Sequence, residues 1–76
     1  MTANDHCTIA IEANGRPLDV PAGATVRDVV RLLGADPDER GVAVALDGAV
    51  VPRSRWSLTA VLALQRVEVV RATAGG

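Results

Sequence analysis

The sequence has no lysine, no phenylalanine and no tyrosine, and a single cysteine, histidine and tryptophan in 76 residues. Each scarcity excludes something. One cysteine cannot close an internal disulfide, which fits a reducing, cytoplasmic setting. The lone His6 stands in a polar N-terminal stretch with no partner at metal-ligand spacing, so no metal site is expected and no Ser–His–Asp set is in view. Carboxylate pairs suited to acid–base work do not stand out either, and the chain is not expected to be an enzyme. Eight arginines face nine acids for a net charge of −1, with no basic run, whereas a nucleic-acid binder needs a clustered basic face. The apolar stretches are too short to span a bilayer, and the start MTANDHCT has no signal-peptide pattern.

What remains is a chain rich in small and β-branched residues, with twelve valines and thirteen alanines. Valine favours strands and alanine favours helices, so the composition predicts a mixed fold. The length predicts a single domain over residues 1–76, near the lower limit for a self-sufficient core. No repeat, linker or low-complexity segment interrupts it.

CTIAIEA (7–13) alternates, with Ile9 and Ile11 on one face, and predicts a first strand. Asn14-Gly15 is a strong hairpin signal, and RPLDV (16–20) returns as the second strand, where Pro17 suits an edge. TVRDVVRLLG (25–34) predicts the main helix. Thr25 can cap it with Asp28 three residues on, and Val26, Val29, Val30 and Leu33 form one apolar stripe. Gly34 and Pro37 stop it. After the polar loop ADPDER (35–40), GVAVALDG (41–48) predicts a third strand closed by an Asp-Gly turn. AVVPRSRWS is short extended chain broken by Pro52, LTAVLAL (58–64) is ambiguous between strand and helical turn, and RVEVV (66–70) predicts the last strand. Here Val67 and Val69 share a face opposite Arg66, Glu68 and Val70.

One helix after a tight hairpin covers one sheet face, which makes an α+β two-layer domain. With the last strand central and parallel to the first, the architecture is a β-grasp, or ubiquitin-like, fold: a mixed sheet of four to five strands under one main helix, the other sheet face open.

The chain then runs RVEVVRATAGG to its end. A terminal carboxylate has an ordinary pKa of about 3.3–3.7, so it is ionised at neutral pH and a poor electrophile. Turning it into an acyl donor requires activation, most economically as an acyl-adenylate. Gly75 and Gly76 carry no side chain to obstruct a narrow enzyme passage. A flexible tail over residues 72–76 would reach roughly 17 Å when extended. Gly76 is therefore the expected working group, with Gly75, Ala74 and Thr73 as the recognised approach. Arg53, Arg66, Glu68, Val70 and Arg71 form a possible partner surface. Trp56 is expected as a packing anchor, Arg53 as tether or partner contact, and Cys7 as a small, hydrophobe-like residue rather than a reactive thiol.

Three segments, TVRDVVRLLG, GVAVALDGAVVPRSRW and RVEVVRATAGG, resemble the ThiS family of thiamine-biosynthesis sulfur carriers. The likeness includes Val51, Pro52, Arg53 and Trp56 in the middle segment and the terminal Gly-Gly. It departs where the family usually places Gly-Asp before the last strand, since this chain has Leu64-Gln65. The resemblance implies a sulfur relay. An E1-like, ThiF-like adenylyltransferase would activate Gly76 with ATP and magnesium. A cysteine desulfurase would supply sulfur, and a ThiG-like thiazole synthase would accept it from a C-terminal thiocarboxylate. The carrier itself would hold no permanent cofactor. Other functions compatible with the same residues are a carrier for molybdopterin, cysteine or a secondary metabolite, a ubiquitin-like modifier, and a plain interaction domain.

Overall fold

The computed structural model describes residues 7–72. Alternation over the first apolar stretch gives β1 (Thr8–Ala13), and β2 (Arg16–Pro21) returns antiparallel to it. The turn between them holds Asn14 at φ 50° and Gly15 at φ 81°, the two positive φ values that a type I′ hairpin requires and that Asn-Gly tolerates best. A second hairpin of the same kind, through Asp47-Gly48, joins β3 (Val42–Leu46) to the two-residue β4 (Ala49–Val50). The last strand, β5 (Arg66–Arg71), lies between β1 and β3, parallel to the first and antiparallel to the second. The five-stranded sheet thus runs β2-β1-β5-β3-β4, and with its one covering helix it is the expected β-grasp fold.

The helix α1 spans Val26–Leu32. At its start the Thr25 side chain accepts from the Asp28 N–H, and the Asp28 carboxylate accepts from the Thr25 N–H, a complete capping box. The remaining first-turn donors find partners outside the helix: the Val26 N–H donates to Thr59 O at 2.9 Å and the Arg27 N–H to Trp56 O at 3.2 Å. At its end the Gly34 N–H donates to Arg31 O and the Ala35 N–H to Val30 O, the paired bonds of a Schellman motif. Leu33 is therefore the C-cap rather than a helical residue, and it is half-buried where the other members of the stripe are fully buried.

Three expectations are corrected. Residues 58–64 are neither strand nor helix; they form an irregular run held by backbone bonds to the helix start (Val26 N–H to Thr59 O, Val61 N–H to Ala24 O) and to β1 (Leu64 N–H to Ala10 O), and by Val61, whose side chain is in the core. The third strand begins at Val42, because Gly41 has φ 84° and turns the chain instead of extending it. The first strand begins at Thr8 rather than Cys7, which is exposed at the sheet's end.

The core collects Ile11, Val20, Val26, Val29, Val30, Val42, Val44, Val61 and Val67 around Trp56, which is only 2% exposed. Trp56 is the anchor expected. Its Nε1–H, which would otherwise be stranded in an apolar setting, donates to Val51 O at 2.8 Å. Among the described residues no helix is long and apolar enough to cross a membrane.

Candidate functional site

Strand alternation sorts the residues around the chain's last strand. The register pairs Arg66 with Glu12, Glu68 with Ala45, and Val70 with Ala43, while Ala45 also faces Val50. All of these stand on the sheet face that the helix leaves uncovered. Its centre is apolar and built of small side chains, Ala43, Ala45, Val50 and Val70, with Glu68 among them. At its far side Arg66 Nε lies 3.7 Å from Glu12 Oε2, an exposed pair screened by water.

Arg71 falls on the other face, since its register partner is the buried Val42. Arg71 Nη1 lies 3.9 Å from Glu39 Oε1 in the loop before β3. Arg53 reaches the same loop from the opposite direction, out of a short 3₁₀ turn at Arg53–Arg55. Its guanidinium donates to Pro37 O, to Glu39 O at 2.6 Å and, more distantly, to Val42 O at 3.5 Å. It also stacks over the Trp56 ring with its carbon 4.5 Å from the ring centroid. A planar fork of donors suits several carbonyls at once. Of the five residues grouped by sequence as a partner surface, three share the open face, and Arg53 and Arg71 meet at Glu39.

The chain leaves β5 through Ala72, whose N–H donates to Gly41 O at 2.7 Å. Thr73, Ala74, Gly75 and Gly76, the expected recognised tail and working group, lie outside the described residues, as does the greater part of the tail expected to be mobile. Sequence reasoning missed Glu39 and Gly41, which organise the exit. A glycine at the junction of a polar loop and a strand is the signal that could have pointed to Gly41.

The same loop is tied to the helix. Arg27 Nη1 and Nη2 donate to Asp38 Oδ1 and Oδ2 at 3.1 and 3.3 Å. This two-pronged bond, with the attraction of the charges behind it, holds the Asp38 carboxyl below the usual carboxylate range and raises Arg27. Among the described residues no group of three His, Cys, Asp or Glu side chains could hold a metal ion. A concavity of about 490 Å³ between the β2–α1 turn and the helix, lined by Pro21, Ala24, Asp28, Arg31 and Leu32, is remote from the chain's exit. Its carboxylate, Asp28, is already engaged in the capping box. The described residues therefore offer an open sheet face with a small apolar centre, and an exit anchored at Gly41.

A family model described as the ThiS family matches residues 7–76. Among solved structures, the chain is similar to the crystal structure of a thiamine biosynthesis protein (ThiS) from Geobacter metallireducens. The two share 26% sequence identity and a TM-score of 0.70, over 90% of this chain and 100% of that one. No curated protein gives a match.

Proposed function

The chain belongs to the ThiS family, and from that premise we propose that it is a sulfur carrier of thiamine biosynthesis whose working group is the carboxylate of Gly76. The observation that carries the reading is that the family match runs through the Gly75-Gly76 pair itself. Support comes from the anchored exit: the central strand β5 ends at Arg71, and the next residue, Ala72, is hydrogen-bonded to Gly41.

The chemistry has three steps. A ThiF-like partner holding ATP and magnesium lets a Gly76 carboxylate oxygen attack the α-phosphorus, releasing pyrophosphate and leaving an acyl-adenylate. The terminal sulfur of a persulfide, supplied by a cysteine desulfurase, attacks the acyl carbon and expels AMP, giving an acyl disulfide. A thiolate then attacks the sulfur derived from the carrier of the persulfide, and Gly76 departs as a thiocarboxylate while the thiols become a disulfide. The thiocarboxylate sulfur is a soft nucleophile, delivered to a ThiG-like thiazole synthase without free sulfide. In this scheme the chain is substrate throughout, and its own residues dock and present the terminus. The open face carrying Arg66, Glu68 and Val70 serves as the docking surface, with Arg71 beside the exit.

The test is intact mass after incubation with an activating enzyme, ATP and a persulfide source. The wild-type chain gains the increment of sulfur replacing oxygen. Deleting Gly76, or adding one alanine after it, abolishes the gain while the unfolding midpoint stays at the wild-type value. Unimpaired sulfur uptake by the extended variant would refute the proposal.

A further inference from the structure

We infer that the contact between Gly41 and Ala72 is a positioning clasp, which fixes the point at which the chain leaves the domain and so sets where Gly76 is presented; this rests on the reading of Gly76 as the working group. Three observations converge on it. The Ala72 N–H donates to Gly41 O at 2.7 Å, one residue beyond the end of β5. Gly41 has φ 84°, and a Cβ built on it would stand 3.3 Å from Ala72 Cβ and 3.4 Å from Ala72 O. Any side chain at 41 would thus crowd the departing chain as well as strain its own backbone. The third observation is what holds Gly41 in place. Arg53, stacked on the buried Trp56, donates to the carbonyls on both sides of it, Glu39 O and Val42 O, and Arg71 pairs with Glu39.

The physical effect is on reach. From Ala72, the residues 73–76 span at most about 14 Å when extended. Without the clasp, the last fixed point retreats to Val70, which pairs with Ala43 inside the sheet. That adds up to about 7 Å of slack and the conformational freedom that goes with it. A terminus starting from a fixed origin, beside a docked face, enters a partner's pocket at lower entropic cost than one on a loose tether. Gly41 and Ala72 are positioning residues in this account; they touch no reacting atom.

The experiment uses the full chain with an activating enzyme that thiocarboxylates it, and compares Gly41→Ala, Ala72→Gly, the double variant and Ala72→Pro. Two readouts are taken: amide hydrogen exchange at residue 72, and KM and kcat for thiocarboxylate formation. In the wild type the Ala72 amide is protected. Gly41→Ala speeds its exchange and raises KM about tenfold with kcat unchanged, as expected when preorganisation alone is lost. The double variant removes the Cβ–Cβ crowding but keeps the strain of a side chain at a positive φ. It therefore restores protection and KM while its unfolding midpoint stays at that of Gly41→Ala, which a merely structural role would not do. Ala72→Pro removes the donor without touching Gly41, and it raises KM even if Gly41→Ala fails to fold. A wild-type Ala72 amide exchanging as fast as an unstructured peptide overturns the clasp. So does a KM that stays put in Ala72→Pro, or a double variant that rescues nothing. A failure of Gly76 is separable, because sulfur uptake by the alanine-extended chain refutes that reading while the Ala72 exchange rates are unaffected.

Discussion

At the residue scale, Leu64 sits in a conformation its side chain opposes. It has φ 69° and is 86% exposed, so it holds a left-handed backbone with no burial in return. The left-handed region costs an L-residue other than glycine roughly 1–2 kcal/mol. Leu64→Gly should therefore raise stability by about 0.5–1 kcal/mol once the greater freedom of glycine in the unfolded chain is deducted, read as a higher urea midpoint. This is where the chain departs from the Gly-Asp usual in its family, and the neighbouring Gln65 shows how the turn survives. Its Oε1 accepts from the Leu62 N–H at 2.7 Å, and its Nε2 donates to Asp47 Oδ2 at 3.1 Å. Arg53 is the second informative residue. Removing its guanidinium in Arg53→Ala should cost about 1–2 kcal/mol although the residue is exposed, because carbonyl partners and ring stacking are lost together. Trp56 and the Asn-Gly turn were legible in the sequence because their roles are local or follow from size. For Arg53 the sequence left tether and partner contact both open, since its acceptors lie in a loop well upstream that only the tertiary fold brings near.

At the scale of elements, α1 is the part most plainly written in the sequence, and it has only seven residues. A helix so short is unstable in isolation, so its caps and its packing decide whether it forms. Thr25→Ala should cost about 1 kcal/mol through loss of the capping box, measured by chemical denaturation. The Arg27–Asp38 pair joins this helix to the loop before β3 and gives a pH-dependent signature. Asp38 is lowered in the folded protein, so its contribution is present above the ordinary carboxylate pKa near 4 and is lost as pH falls through the lower folded value. The difference in urea midpoint between wild type and Asp38→Asn should be small at neutral pH, vanish in acid, and shrink in high salt, since Asp38 is exposed and Arg27 only half-buried. Residues 58–64 resisted prediction for the opposite reason to α1. Their apolar residues follow no usable period, and their order comes from backbone bonds to the helix start, such as the Val61 N–H to Ala24 O at 2.8 Å.

At the scale of the molecule, the two hairpin turns do more than reverse the chain. Asn14 Oδ1 accepts from the Val69 N–H at 2.8 Å, and Asp47 Oδ1 accepts from the Arg66 N–H at 2.8 Å. The turn residues thereby stitch β5 from both neighbouring hairpins, a long-range use that turn propensity alone does not reveal. Strand order and the apolar faces were legible, because Val67 and the helix stripe demand each other. How far each position is buried was not: Leu33 follows the period yet lies at the cap. Val30→Ala, at a fully buried site, should cost about 2 kcal/mol, and Leu33→Ala less, which paired urea titrations will rank. The central place of β5 has a mechanical consequence as well. A pull along the strand from its C-terminal end loads in shear the ladder to β3 over residues 67–71 and, further in, the shorter pairing to β1 at Arg66 and Val67. Traction directed along β5 is therefore shared between two neighbouring strands, where a strand at the sheet's edge would pass it to one.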